Sequence, residues 1–418
     1  MSRAEVRTGG HGLKPQEHPA LRHGDGFVHP APPTTFADGL ERLPIPQLLA
    51  VAESAGPSRV EAALRTNPLE RTLEDFAALL SPAASSRLED LAAASRRLTI
   101  ARFGRTMRMY APLYLSNECL TTCAYCGFAR ELPIARKTLS GEETLEEARH
   151  LLRQGFRSIL LLTGEHERLT GVEFLEERIR LLAREVPQVS VEVQVWSEEE
   201  YRRLAQAGCE GVVIYQETYH PETYAKVHLA GRKRHERWRL LGPERAARAG
   251  MRRIGIGALY GLHDDWRYEA ICVAAHARFL QRHYWRSQVA VSVPRMRPSA
   301  AGFQPPTLLS DRELVQLVAA LRLALPDAGL VLSARERPEL RDGLFRVGIT
   351  HTSAGSHTEP GGYEQPREAT EQFEVADLRS PVEVAAKLRD LGYDPVWEDW
   401  SRVTPNAERM LSRRSTVR

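Results

Sequence analysis

Three of the chain's five cysteines, Cys119, Cys123 and Cys126, fall within eight residues of the stretch YLSNECLTTCAYCGF, residues 114–128. Thiolates at such spacing bind metal, and three crowded free thiols without a ligand are an oxidation hazard. A cubane [4Fe-4S] cluster takes four ligands, usually cysteine thiolates. A loop offering three, separated by three and then two residues, holds three irons and leaves the fourth open. A zinc site of three cysteines and one histidine is the competing reading, but zinc ligands usually come as two close pairs and the sequence has no second pair. Cys209 and Cys272 are isolated and read as structural thiols in buried helical places.

Such a loop needs a frame. Apolar, β-branched runs recur at MYAPLYLS, RSILLLTGE, VSVEVQVWS, GVVIYQET, RRIGIGALYG, SQVAVSVPR, AGLVLSARE and GITHTSAGS, eight strand candidates separated by amphipathic helical stretches. Ser140 with Glu143, Ser197 with Glu200, Ser310 with Glu313 and Ser380 with Glu383 match the capping box, in which hydroxyl and carboxylate satisfy the first free amides of a helix. Gly155, Gly208, Gly250 and Gly348 fall where helices should stop in a left-handed residue. Alternation of this kind makes the strands parallel, with helices outside. Eight units predict a (β/α)8 TIM-type barrel of α/β class, with a doubly wound open sheet as the alternative. Either fold presents its active site at the carboxyl ends of its strands, and the three cysteines follow the first strand at that end.

At 418 residues the chain has room for a barrel with additions. Residues 1–43, rich in Gly, Pro and His and without apolar periodicity, are expected to form a mobile arm. Residues 44–105 read as a helical extension, 106–403 as the barrel with an associated C-terminal region, and 404–418 as a tail. A formal charge of +3, from 57 basic and 54 acidic residues, gives no field for nucleic acid or a membrane surface. No apolar run is long enough to span a bilayer, and the N-terminal stretch lacks the hydrophobic segment of a signal peptide. With an odd cysteine count that does not suit a disulfide framework, this predicts a cytoplasmic protein.

The C-x3-C-x2-C spacing, with the aromatic Tyr125 before the last cysteine, resembles the signature of the radical S-adenosylmethionine superfamily. The resemblance implies that the open iron chelates the amino and carboxylate groups of S-adenosylmethionine. One electron then cleaves the sulfonium to a 5′-deoxyadenosyl radical, with Tyr125 near the adenine. Thr163, Gly164 and Glu165, closing the second strand candidate, are similar to the superfamily's GGE motif, whose carbonyls hold the methionine ammonium; Thr163 replaces the first glycine. Gln216 and Glu217, ending the fourth, stand where that superfamily reads the ribose or sulfonium. An ion pair inside the barrel would account for Glu217 equally well.

Further stretches, YQETYHPETYAKVHLAGRK, GALYGLHDDWRYEA, SVPRMRP, SAGSHTEPGGY, QFEVADLRS and GYDPVWEDW, extend the likeness from about residue 50 to 403. They resemble the tyrosine lyases of thiamine thiazole biosynthesis, the 2-iminoacetate synthases. That family's chemistry implies hydrogen abstraction from the amino group of L-tyrosine and scission of its Cα–Cβ bond, giving 2-iminoacetate, p-cresol, 5′-deoxyadenosine and methionine. It also implies an electron from a flavodoxin or ferredoxin and a transient hand-over of the imine to a thiazole synthase subunit. The related [FeFe]-hydrogenase maturase carries a second cluster on C-terminal cysteines, whereas no cysteine follows Cys272 here. A lyase of L-tryptophan stays open on sequence grounds. So, in another class, does a non-catalytic iron-sulfur or zinc protein, which explains the cysteines but not strand ends lined with TGE, QET, PRMRP and SAGS.

An amino-acid carboxylate inside a barrel calls for arginine or for clustered hydroxyl donors. The strand-end candidates are Arg295 and Arg297 on the sixth strand, Ser333 and Arg335 on the seventh, and Ser353, Ser356, His357 and Thr358 on the eighth. Plainer roles are a structural carboxylate partner for Arg297 and closure of the barrel rim by Arg335 with Glu336. TEPGGYE, residues 358–364, reads as a turn-rich lid, and Trp397 with Trp400 as a belt packed on the barrel wall.

Overall fold

A computed structural model describes residues 34–364 and 368–398. All eight strand candidates form strands of one parallel sheet: β1 (Thr106–Ser116), β2 (Ser158–Thr163), β3 (Gln188–Glu192), β4 (Cys209–Glu217), β5 (Arg253–Ala258), β6 (Gln288–Ser292), β7 (Gly329–Leu332) and β8 (His351–Ser353). Each pairs with the next, and β8 pairs with β1 from Arg108↔His351 to Tyr110↔Ser353, so the sheet closes into a barrel and excludes the open alternative. GYDPVWEDW adds a short β9 (Asp394–Val396) that pairs, parallel and outside the ring, with Thr106, Met107 and Arg108 of β1.

The period of two along each strand sorts the side chains. Met107, Met109, Ala111, Leu113 and Leu115 of β1 join the main apolar core, while Tyr110, Pro112 and Tyr114 line the barrel interior. The four capping boxes form as expected, and Thr72 with Asp75 makes a fifth. Gly155, Gly208 and Gly250 take the left-handed φ of 104°, 116° and 96°. Gly348 does not. A Cβ there would stand 3.0 Å from Ser95 Oγ and 3.3 Å from Arg322 Cβ, so close packing, not turn geometry, calls for glycine.

The helical extension, Ile45–Ser54, Pro57–Arg65, Leu73–Leu79, Pro82–Ser85 and Leu88–Phe103, packs on the barrel helices Trp266–His283 and Asp311–Ala324. The segment expected as an arm is corrected at its end, because Phe36–Leu40 is a helix capped by the Thr35 side chain. Phe36 is buried with its ring stacked on His276 at 4.1 Å, and its amide donates to Glu244 Oε1 at 2.8 Å. One aromatic anchor outweighs the polar composition around it. Residues 1–33, Trp400 and the tail at 404–418 lie outside the described residues, while Trp397 packs edge-on against Phe156 at 5.2 Å. Cys209 begins β4 and is not helical; Cys272 is buried in Trp266–His283. Among the described residues no helix is long and apolar enough to cross a membrane.

Candidate active site at the carboxyl end of the barrel

The cysteine loop leaves the end of β1 and is held from within. Asn117 is buried and donates to Ala135 O at 2.8 Å while accepting from the Lys137 amide at 2.7 Å. The Arg136 guanidinium donates to Asn117 O at 2.6 Å and to Ala129 O at 2.8 Å. Thr122–Cys123 pairs antiparallel with His228–Ala230, which ties the loop to the segment after β4. The Thr121 hydroxyl stands 2.9 Å from Cys119 Sγ and 3.8 Å from Cys123 Sγ. Burial pushes the Cys123 and Cys126 thiols up, so metal binding must release their protons. Among the described residues no three Cys, His or carboxylate side chains gather as ligands of one ion would; ligands to separate irons of a cluster stand wider apart.

Tyr125 is buried and its hydroxyl lies 2.9 Å from His228 Nε2. His228 Nδ1 lies 3.0 Å from Tyr224 O, which fixes the proton on Nδ1 and leaves Nε2 to accept from the tyrosine. Burial, reinforced by Lys233 and Arg239, pulls this imidazole down to about 2, so it stays neutral.

Beside the loop, Gly164 approaches so closely that a Cβ would stand 2.2 Å from Glu118 O. The Thr163 hydroxyl and both ends of the Gln216 amide are buried without a protein partner. Orphaned polar atoms of this kind are costly unless a ligand satisfies them. Glu217 is the one non-glycine residue with positive φ, 72°, among the described residues, a strain of about 1–3 kcal/mol. Its carboxylate accepts from Lys233 Nζ at 2.7 Å, and Arg239 reaches Glu165 at 3.0 Å and Glu217 at 3.7 Å. This tetrad, with Glu217 and Arg239 buried and Glu165 and Lys233 half-buried, runs under the Tyr125 ring, whose centre lies 5.7 Å from Lys233 Nζ.

Below it, a small cavity of about 50 Å³ is lined by Tyr110, Tyr114, Glu192, Tyr215 and Arg335. Ser333, Ser353, Ser356 and Thr358 line it too. Glu192 is pushed up to about 7, first by burial and then by the charge of Glu217. The Arg335 guanidinium lies 3.4 Å from the centre of the Phe373 ring. A larger cavity of about 730 Å³ opens at the opposite end of the strands and shares only Tyr110, Leu160 and Tyr215 with the small one. The cysteines and the tetrad are not at that end.

Five of the eight strand-end candidates therefore face the small cavity: Ser333, Arg335, Ser353, Ser356 and Thr358. Arg295 does not, because it donates to Glu336 Oε1 at 2.9 Å and pairs with Asp311 at 3.0 Å. It is Arg295, and not Arg335, that closes the rim with Glu336. Arg297 pairs with Glu374 at 3.0 Å at the surface, and His357 packs edge-on against Tyr363, 3.3 Å from Glu359. The 358–364 segment is packed down: Tyr363 donates to Pro112 O at 2.6 Å. Glu192, Lys233, Arg239 and His228 went unread. Only Glu192 had a signal: Ser190, Glu192 and Gln194 recur at every second place of VSVEVQVWS, a polar alternation where a strand of a parallel sheet ordinarily reads as a continuous apolar run.

Comparison with known proteins bears on about nine-tenths of the chain. The model of the radical SAM superfamily matches residues 113–271, and that of the biotin and thiamin synthesis associated domain matches residues 292–394. The chain is 43% identical over 377 residues to the 2-iminoacetate synthase of Escherichia coli (strain K12), covering 90% of this chain and 100% of that one. It is 42% identical to the enzyme of the same name from Salmonella typhimurium, covering 88% and 97%. Among solved structures it resembles HydG, a maturase of the [FeFe]-hydrogenase, with a TM-score of 0.78, 30% identity and coverage of 88% and 81%. Methylornithine synthase, at 20% identity and a TM-score of 0.63, shares the fold. A closed barrel, a three-cysteine loop at the mouth and near-complete alignment with two named enzymes agree, and the chain belongs to the 2-iminoacetate synthase family of radical SAM lyases.

Proposed function

We propose that the site cleaves the Cα–Cβ bond of L-tyrosine to 2-iminoacetate and p-cresol for the thiazole ring of thiamine. The observation that carries the substrate assignment is that a half-buried carboxyl, Glu192, and a guanidinium, Arg335, line one cavity walled by the rings of Tyr110, Tyr114 and Tyr215. Such a pair suits a zwitterion, and the rings suit an aromatic side chain.

A [4Fe-4S] cluster with S-adenosylmethionine supplies, when bound, the radical that removes the substrate's hydrogen atom. Cys119, Cys123 and Cys126 hold the cluster. The edge at Thr163, Gly164 and Glu165 and the unpartnered Gln216 amide hold polar groups of S-adenosylmethionine, with Tyr125 at the adenine. Glu165 and Glu217 keep Lys233 and Arg239 charged and in place under this ligand. Arg335, with the Ser333, Ser353 and Ser356 hydroxyls, orients the substrate carboxylate, Glu192 draws its ammonium, and the packed segment from Thr358 to Tyr363 excludes water. The electron comes from a flavodoxin or ferredoxin, and the imine, which water destroys, passes to a thiazole synthase subunit.

The test is anaerobic reconstitution with reductant, S-adenosylmethionine and either L-tyrosine or L-tryptophan, followed by mass spectrometry. Deoxyadenosine with p-cresol and glyoxylate, the hydrolysed imine, is expected from L-tyrosine alone. Turnover of L-tryptophan in its place would replace the substrate assignment. Because Glu192 titrates at about 7, its anion forms as pH rises through that value. The KM for L-tyrosine is expected to fall roughly tenfold between about pH 6 and pH 8, and Glu192→Gln is expected to flatten that profile.

A further inference from the structure

Cys126 differs from the other two cysteines in receiving a side-chain amide from the far end of the chain. The Phe128 amide donates to its Sγ at 3.4 Å, and Gln372 Nε2, 246 positions away in sequence, lies 3.7 Å from the same sulfur. Gln372 is fastened to the loop by its backbone as well. Its amide donates to Thr358 O at 3.0 Å, and its carbonyl accepts from the Gly127 amide at 3.2 Å. A Cβ on Gly127 would stand 2.4 Å from that carbonyl, so glycine is what lets the two segments meet. Asn117 Nδ2 reaches Thr370 O at 3.4 Å, and the Thr370 amide donates to Ala135 O at 3.2 Å, which holds the rest of the strap down.

The side-chain amide has one sensible orientation. Tyr114 donates its hydroxyl to Gln372 Oε1 at 2.8 Å, which turns Nε2 to the sulfur. The flipped amide would aim a carbonyl at a thiolate. We propose that Gln372, oriented by Tyr114, is a positioning residue that donates an N–H bond to the Cys126 thiolate and raises the reduction potential of the cluster bound there. Hydrogen bonds to ligand sulfurs set iron-sulfur potentials because the reduced cluster, with one more negative charge, gains more from each donor than the oxidised one. The inference rests on the cluster reading above and adds to it how the chain makes that cluster reducible.

The test uses the full chain, reconstituted anaerobically as wild type, Gln372→Met and Tyr114→Phe, with iron and sulfide counted before a redox titration followed by electron paramagnetic resonance. Methionine fills similar space without the amide. The midpoint of Gln372→Met is expected to fall by about a tenfold loss in the reduction equilibrium, 59 mV for one electron, and that of Tyr114→Phe by less in the same direction. A full iron count with an unchanged midpoint in Gln372→Met would overturn the inference and leave the cluster reading intact. A wild type that binds no four-iron cluster would overturn both. Should Gln372→Met fail to fold, Tyr114→Phe decides by itself: an unchanged midpoint there overturns the proposal.

Discussion

Replacing Cys126 with alanine is expected to abolish the cluster and, with it, reductive cleavage of S-adenosylmethionine. The loop offers three thiolates to four irons, so removing one leaves a second iron without a protein ligand. The loss should exceed the roughly 10- to 100-fold that removal of an outer-shell partner costs at metal sites. The fold should survive, since Cys126 is half-buried and removal of one sulfur there is worth about 1 kcal/mol. Iron and sulfide content, deoxyadenosine yield and a thermal melt of the metal-free protein check the three statements together. Cleavage at the wild-type rate from Cys126→Ala would remove this loop from the chemistry.

The largest effect on stability is expected from Asp377→Ala. Arg341 and Asp377 are both fully buried and paired at the end of β8. Arg341 also donates to Thr352 Oγ1 at 2.7 Å and Ser353 O at 2.5 Å, and Asp377 also accepts from Arg379 at 2.7 Å. Although burial works against the Asp377 charge, Arg379 and Arg341 hold the carboxyl below its ordinary value. Truncating it strands a buried guanidinium, at a cost of about 3–5 kcal/mol, read as a lowered melting midpoint. Arg341→Met combined with Asp377→Leu should cost much less, since no charge is then left alone. The sign of the pH dependence follows from the depressed carboxyl. Its contribution is present above the usual aspartate range and is lost as pH falls through the lowered value, an acid sensitivity that Asp377→Ala should lack. Because Arg341 holds Ser353, a wall of the small cavity, Asp377→Ala should also raise the KM for L-tyrosine.

Local pattern carried much of this protein. The eight strands and the four serine-led caps follow from periods and spacings confined to a few neighbouring residues, and the cysteine loop from a spacing of eight. What escaped depends on partners far away in sequence. Arg295 looked like a cavity residue until Glu336, from the end of the neighbouring strand, took its guanidinium. Lys233 and Arg239 carry no local mark in the sequence, and only Glu165 and Glu217, the residues expected at the cofactor, give them their place. Phe36 was one apolar residue in a polar run, and distant rings, those of Tyr219, His276 and Phe279, give it a place. Gly348 shows the converse, a local rule matched for a reason other than the one the rule supplies.

The pairing of β1 has a consequence for synthesis. Among the described residues, the strand partners of its first residues, Thr106 to Tyr110, lie only in β8 and β9, at residues 351–353 and 394–396. About 290 residues separate Thr106 from Val396, which at roughly 5–20 residues per second is about 15–60 s on the ribosome. Throughout that interval the lower edge of the first strand is open, and an open strand edge is a template for pairing with other chains. The strand of the barrel that emerges first is thus the last to be enclosed, and its lower edge is closed only when residues 351–353 and 394–396 arrive.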